Sequence, residues 1–375
     1  MLRIVDFGGL PIFEDAKDTY VCIPLVEKDS ITKTMEVCKV KDFDFLDLHD
    51  YVLLNSYVVE SKQLSESGWS LENQAKTALF QKIIVTGKSL GDYSSRRIYY
   101  GIKTGLNDAF ELTQQQTEKI ISESPNSKNL IKPFVGGQDI RRYHVKENGR
   151  YLIVIPAGWT KNQLLKRQQN NLSESYAWEW FSKEYTSLSE HLKSFSEAAK
   201  KRQDKGDYWW ELRPCDYYDV LDAPKIIYPD IAKYPRFFLD TTGLYVANTA
   251  YCLGLNDYYL LGILNSKLTW FAISQISIPF GVRAGEFRYR LIYQYMEQIP
   301  IRPINFSDPA DKARHDKMVS LVERMLSLHK QPSARTPQEQ EMVKREIEST
   351  DKAIDSLVYE LYGLTENEVK IVEGE

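Results

Sequence analysis

Three stretches place basic side chains directly beside aromatic ones: Arg142-Tyr143, Tyr234-Pro-Arg236-Phe237 and Arg288-Tyr289-Arg290. That pairing suits nucleic acid, because cations neutralise phosphate while rings stack on bases. The segment from Lys132 to Arg167 adds the strongest local basic excess of the chain. It holds Lys132, Arg141, Arg142, Lys146, Arg150, Lys161, Lys166 and Arg167 against only Asp139 and Glu147. Aromatic content alone, 24 Tyr and seven Trp, does not decide the matter, since tyrosines also fill sheets and lie flat at surfaces.

Other chemistries find less support. Gly87-Lys88-Ser89 matches the end of a phosphate-binding loop, but Lys82 stands where the first glycine must let backbone amides wrap the phosphate. A metal-dependent nuclease wants Pro-Asp followed by Asp/Glu-x-Lys to hold Mg²⁺ against a phosphate. Pro229-Asp230 is present, yet Glu368-Val-Lys370 lies far off in a helical tail and Asp15-Ala-Lys17 precedes it. Neither the five histidines nor Cys22, Cys38, Cys215 and Cys252 show ligand spacing, so no metal site is expected. There is no GxGxxG, no GxSxG, and no Asn-Pro-Pro-Tyr type turn to hold a flipped adenine. Phe7-Gly8-Gly9 follows a strand but lacks the rest of a glycine-rich S-adenosylmethionine loop.

The chain has 375 residues, 43% hydrophobic and 27% charged, which fits two or three globular domains and excludes disorder or a disulfide miniprotein. The net charge of −4 hides an asymmetry. Residues 336–375 carry eleven acids against four bases, net −7, which leaves 44 bases and 41 acids, net +3, on the rest. The start MLRIVDFGG does not read as a signal peptide. The most apolar window, Tyr258 to Phe280, contains Lys267, Asn265, serines and a glutamine, so a bilayer span is not expected. Widely spaced, reduced cysteines and a cytoplasmic location are the expectation.

Periodicity sets the elements that must position these residues. Residues 2–26 predict two short strands, and Trp69 to Gly87 a helix with Leu71, Ala75, Leu79, Ile83 and Ile84 on one face. Strands are expected at Arg97–Gly101 and Ala109–Leu112 around the loop 104–107, followed by a polar helix from Thr113 to Ser122. Ile131 to Ile155 predicts strand, turn, strand, with Asn148-Gly149 as a hairpin signal. Residues 161–207 read as helical, and Lys225–Tyr228 and Tyr245–Tyr251 as strands. One amphipathic helix is expected from Asp257 to about Ser274. Asp308-Pro309 opens a helix with the seam Met318, Leu321, Val322, Met325 and Leu328, and a second runs from about Gln338 to Leu361. The fold class is α+β: a β-rich unit with inserted helices, then an antiparallel C-terminal helical hairpin.

Several stretches in order carry a family likeness. They are Ile4-Val-Asp-Phe-Gly8, Pro11-Ile-Phe13, Tyr20-Val-Cys-Ile23, Gly101-Ile-Lys-Thr-Gly-Leu-Asn-Asp-Ala-Phe110 and Ile131-Lys-Pro-Phe134. Further on come Gln138-Asp-Ile-Arg-Arg-Tyr143, Glu211-Leu-Arg-Pro-Cys-Asp-Tyr217, Pro224-Lys-Ile-Ile-Tyr-Pro-Asp-Ile231, Asn248-Thr-Ala-Tyr251, Gly262-Ile-Leu-Asn-Ser-Lys-Leu268, Gln298-Ile-Pro-Ile301 and the run from Asp351 to Gly363. Together they resemble the C-terminal half of type IIG restriction-modification enzymes, which includes the TaqI-like C-terminal specificity domain, and the related half of phage-defence methylases of the BREX type. The resemblance covers nearly the whole chain. It implies that residues 1–60 are the terminal strands of a methyltransferase domain, 61–305 a target recognition (specificity) domain, and 306–375 a C-terminal helical packing element.

The resemblance also implies a function: recognition of a double-stranded DNA target for an N6-adenine methyltransferase and endonuclease. S-adenosylmethionine and Mg²⁺ belong to catalytic domains that this chain's motifs do not provide, whether those lie in cis or on a separate subunit. Base edges are read in the major groove chiefly by Arg, Lys, Asn and Gln. The expected DNA contacts are Lys103 and Thr104 in the 101–105 loop, then Arg141, Arg142, Lys161, Lys166 and Arg167, then Arg283, Arg288 and Arg290. Two rivals stand beside this reading: an intact enzyme with an unrecognised centre, and a protein-interaction module that docks a methyltransferase subunit without touching DNA.

Overall fold

The computed structural model describes residues 1–8, 10–13, 19–28, 32–61, 64–65, 68–69, 71, 73–283, 286–330 and 336–374. The chain is a mixed α+β protein of several small sheets with helices inserted between and after them.

The first sheet has the order Val21–Leu25, Arg3–Gly8, Thr34–Lys39, Tyr57–Glu60. Its central pair is parallel and the outer pairings are antiparallel. Ile4, Val5 and Phe7 are buried, whereas Ile23 and Leu25 of the strand Val21–Leu25, and Val26 just after it, stay exposed. Tyr20 ties this sheet to the hairpin Pro279–Arg283/Glu286–Arg290: the tyrosine hydroxyl donates to Pro279 O and accepts from Gly281 N.

Two four-stranded sheets form the middle of the chain. One runs Phe238–Asp240, Lys225–Pro229, Ala250–Leu253, Ile98–Tyr100, antiparallel throughout. The other runs Tyr245–Val246, Ile131–Val135, Arg150–Ile153, Glu111–Thr113. The four helices Trp159–Lys166, Glu174–Glu184, Thr186–Lys193 and Ser196–Lys200 are inserted between strands and cover the second sheet with Phe181, Leu188 and Leu192. Trp209 and Trp210 complete that core, Trp210 donating its indole N–H to Thr160 at 3.1 Å. Lys225 and Asp240 form a fully buried ion pair at 2.6 Å, supported by Lys225 Nζ donating to Leu221 O.

Three expectations need correction. Residues 107–110 form one helical turn, and the strand starts only at Glu111. Asn148-Gly149 does not close a two-residue hairpin, because the strands around it, His144–Val145 and Arg150–Ile153, pair with other strands. Asn148 instead donates to Phe134 O at 3.1 Å and Asp139 Oδ2 at 2.8 Å, while Gly149 takes φ +60°. The single helix expected from 257 to 274 is two, Tyr258–Leu264 and Lys267–Ile276. The break has a local cause. Asn265 turns its amide to both the N–H and the C=O of Phe237, and Ser266 caps the second helix by accepting from Thr269 N.

The C-terminal helices are Pro309–His329, Pro337–Leu361 and Glu366–Glu373. Asp308 caps the first with proline at its opening position, and a Thr336/Glu339 capping box opens the second. Arg314 pairs with Glu360 and Arg324 with Glu346, which sets the two long helices antiparallel. Met318, Val322, Met325 and Leu328 are buried, as are Ile354, Leu357, Val358 and Leu361. Gly262 allows the helix Tyr258–Leu264 to approach: a Cβ there would lie 2.5 Å from Met318 Sδ.

Candidate nucleic-acid interface

Antiparallel register places Tyr100 opposite Tyr251, ring centroids 4.9 Å apart, and Tyr251 stacks on Tyr228 at 5.7 Å. Tyr100, Tyr251, Asp230, Ile231, Arg290 and Ile292 line a shallow cleft of about 240 Å³. Burial raises the Asp230 carboxyl pKa, and backbone amides and Arg290 offset part of the rise. Burial likewise raises the Tyr100 hydroxyl; Asp230 adds to this, while Lys103 and Arg213 oppose it.

Lys103 owes its position to a tightly packed loop. A Cβ on Gly101 would stand 2.0 Å from Ala247 O, so only glycine fits there. Ile102 N then donates to Val246 O at 2.7 Å, and Gly105 turns the chain with φ +70°. Lys103 pairs with Asp204 at 3.0 Å, and Arg213 reaches the same carboxylate at 3.8 Å. The hydrogen bond from Lys103 holds that carboxyl below its ordinary range.

Two buried charges organise the neighbouring loops. Arg202 donates to the carbonyls of Thr104, Trp209 and Glu211 and stacks over Phe110 at 4.3 Å; burial lowers its pKa to about 10. Glu211 is fully buried and accepts from the amides of Gly158 at 3.1 Å, Thr160 at 2.9 Å, Asp207 at 2.9 Å and Tyr208 at 3.3 Å. It thereby fixes both Lys161, at the start of its helix, and Asp207, which meets Lys161 at 3.1 Å.

The expected contact residues are distributed as follows. Arg290 lines the Tyr100/Tyr251 cleft, Lys103 follows Tyr100 by three residues, and Lys161 is joined to Lys103 through the loop that carries Asp204 and Asp207. Arg288 lies beside Arg290, both over the Phe280 ring, at 5.4 and 4.5 Å. Lys166 and Arg167 sit at the far end of their helix, Arg167 over Trp180 at 5.1 Å and 3.7 Å from Glu184. Thr104 turns inward: it is 2% exposed, and its hydroxyl donates to Asn107 Oδ1 at 2.6 Å. Arg141 folds back on the carbonyls of Gln138 and Ile140. Arg142 is bound to Asp351 on the helix Pro337–Leu361, away from the tyrosine face. The side chain of Arg283 lies outside the described residues. The structure adds Arg213, Tyr100 and Tyr251 to the candidate surface. Arg213 is not adjacent to an aromatic residue, and only the Glu211-Leu-Arg-Pro run singled out its neighbourhood.

Paired strands, a rigid glycine loop and exposed cations held by exchangeable carboxylates define a surface suited to a polyanion. Residues 132–301 match the family model of the TaqI-like C-terminal specificity domain. It is similar to the type II restriction enzyme and methyltransferase RM.Eco57I of Escherichia coli, 22% identical over 400 residues and 99% of this chain. Its fold is similar to that of the type IIL restriction-modification enzyme MmeI, whose structure was solved in complex with DNA, with a TM-score of 0.51, 13% identity and 98% of this chain covered. The chain spans 39% of the length of RM.Eco57I and 44% of the MmeI chain. Among the described residues, no group of three or more His, Cys, Asp or Glu is arranged to hold a metal ion, and no helix is long and apolar enough to cross a membrane.

Proposed function

We propose that this chain reads a DNA target for a restriction-modification enzyme of the type IIG kind, with methylation of adenine and cleavage carried by domains outside it. The observation that carries the reading is the arrangement of cations around the Tyr100/Tyr251 pair: Arg290 lines their cleft, and Lys103 and Arg213 meet on Asp204 beside the loop that follows Tyr100, in a chain whose residues 132–301 match a specificity-domain model. Phosphate oxygens exchange with Asp204 and Asp207 for Lys103 and Lys161, which fixes register, and Arg213, Arg288 and Arg290 reach base edges. Arg141, Lys166, Arg167 and Arg283 contact the flanking backbone. Thr104 and Arg142 act from behind, one shaping the loop and the other holding the C-terminal helix. The proposed units are 1–60, 61–305 and 306–375. S-adenosylmethionine and Mg²⁺ serve the catalytic domains; no step assigned to this chain passes through either.

A docking role accompanies recognition. Ile23, Leu25, Leu53, Leu54 and Val58 expose an apolar surface on the N-terminal unit, which suits a catalytic domain seated there. The test is selection of the purified chain on a randomised duplex pool across salt concentrations. A short enriched site, with affinity falling steeply as salt rises, supports recognition. No enrichment with the chain alone or with a methyltransferase half added overturns it.

A further inference from the structure

On the opposite side of the hairpin Glu286–Arg290, away from the tyrosine face, lies a larger cleft of about 670 Å³. Side chains alternate along a strand, so Tyr289 points away from Arg288 and Arg290 and into this second space. Its walls are aromatic and cationic. Tyr234, Trp270 and Tyr289 supply rings, Trp270 and Tyr289 meeting edge to face at 5.6 Å. Lys76, Arg142 and Lys267 supply positive charge.

We propose that this cleft binds one unpaired nucleotide, its base against Tyr234 and Trp270 and its phosphate on Lys267 and Lys76. The volume falls within the range of roughly 300–1,000 Å³ typical of small-ligand sites, which also favour junctions between structural units. Here six segments meet: those of Lys76 and Arg142, Tyr234-Pro235, Asn265 with the helix Lys267–Ile276, Tyr289 of the hairpin, and Ile371–Glu373 of the last helix. Rings with adjacent cations match a base joined to a phosphate, whereas an aliphatic ligand would not use the charges. Glu373 holds Lys267 at 2.8 Å in a half-exposed pair that a phosphate can replace at small cost. Arg142 contributes field rather than a hydrogen bond, because Asp351 and Asn265 O already take both of its terminal nitrogens.

The same chemistry has two sources, a free mononucleotide or a nucleotide extruded from bound DNA. Calorimetric titration of the full chain with AMP, with ribose 5-phosphate, and with paired and single-adenine-bulged duplexes separates them. Tyr234→Ala and Lys267→Gln are the variants; both positions are exposed, and thermal melts check folding. One-site AMP binding, much weaker ribose 5-phosphate binding, and a loss of about tenfold in Tyr234→Ala mark a free-nucleotide site. A preference for the bulged duplex that Tyr234→Ala erases, without AMP binding, marks an extruded nucleotide. Neither AMP binding nor a bulge preference, or effects unchanged in both variants, overturns the proposal. The AMP arm does not depend on duplex recognition, so the two readings fail separately.

Discussion

Arg142 and Asp351 stand 209 positions apart and form a two-pronged ion pair, Nη1 and Nη2 each donating to one carboxylate oxygen at 2.6 Å. Nη2 also donates to Asn265 O, the Asn265 side chain brackets the Phe237 backbone, and Tyr143 N donates to Phe237 O. One guanidinium thus fastens the 140–143 segment, the helix break at 265 and the C-terminal helix together. Asp351→Ala leaves a largely buried cation without its partner and is expected to destabilise by about 1–3 kcal/mol. Arg142→Met in the Asp351→Ala background should cost far less than in the wild type, as a double-mutant cycle in urea reads directly. Additive losses would show that the pair does not hold the junction.

Substitutions on the tyrosine face should separate readers from anchors. Arg213→Ala or Arg290→Ala is expected to weaken binding to the selected site by about 1–3 kcal/mol and relax one position of it. Lys103→Ala should weaken all sequences alike and lower the salt slope by about one. Arg142→Met, by contrast, should leave the selected site unchanged once stability is matched. A shifted site in Arg142→Met, with none in Arg213→Ala, would place the reading surface on the opposite side.

Local patterns carried most of the secondary structure. Asp308-Pro309 and the seam at Met318, Val322 and Met325 announced the long helix because capping and heptad-like spacing are written in neighbouring residues. The break at Asn265-Ser266 was hidden, since its cause is a tertiary contact with Phe237. The same holds for the site. Arg142 beside Tyr143 looked like a nucleic-acid contact, yet its partner Asp351 is remote in sequence and visible only in the fold. Arg213 has no aromatic neighbour in sequence, because what distinguishes it is Asp204, which it shares with Lys103 in the fold.

Glu211 tests whether buried charge positions the surface. Its carboxylate accepts four amides, so Glu211→Gln presents an N–H₂ group to at least one of them. A loss of about 1–3 kcal/mol is expected. Hydrogen exchange should quicken at the amides of Gly158, Thr160, Asp207 and Tyr208 while distant strands stay protected. DNA affinity should fall along with the placement of Lys161. Unchanged exchange at these four amides would remove Glu211 from this role.

Two groups, the partly buried His329 and the buried Asp355, make opposite contributions to stability between about pH 4 and pH 6.5. Burial lowers the His329 pKa to about 4, helped by His144, which stacks on it at 4.5 Å, and by Arg142. The unfolded chain then binds a proton that the folded chain refuses, so His329 lowers stability as pH falls from 6.5 towards 4. Burial raises the Asp355 pKa to about 6, and Asp351 adds to the rise against the amide of Lys267. There the folded chain holds the extra proton, so Asp355 lowers stability as pH rises from about 4 to 6. His329→Gln should therefore flatten the loss on acidification, and Asp355→Asn, which keeps an acceptor for Lys267 N, should flatten the loss on neutralisation. Each effect is on the order of 1–3 kcal/mol across the window. Urea unfolding at three pH values in both variants reads them. Parallel pH profiles for either variant and the wild type would show that its group is not held in the shifted state.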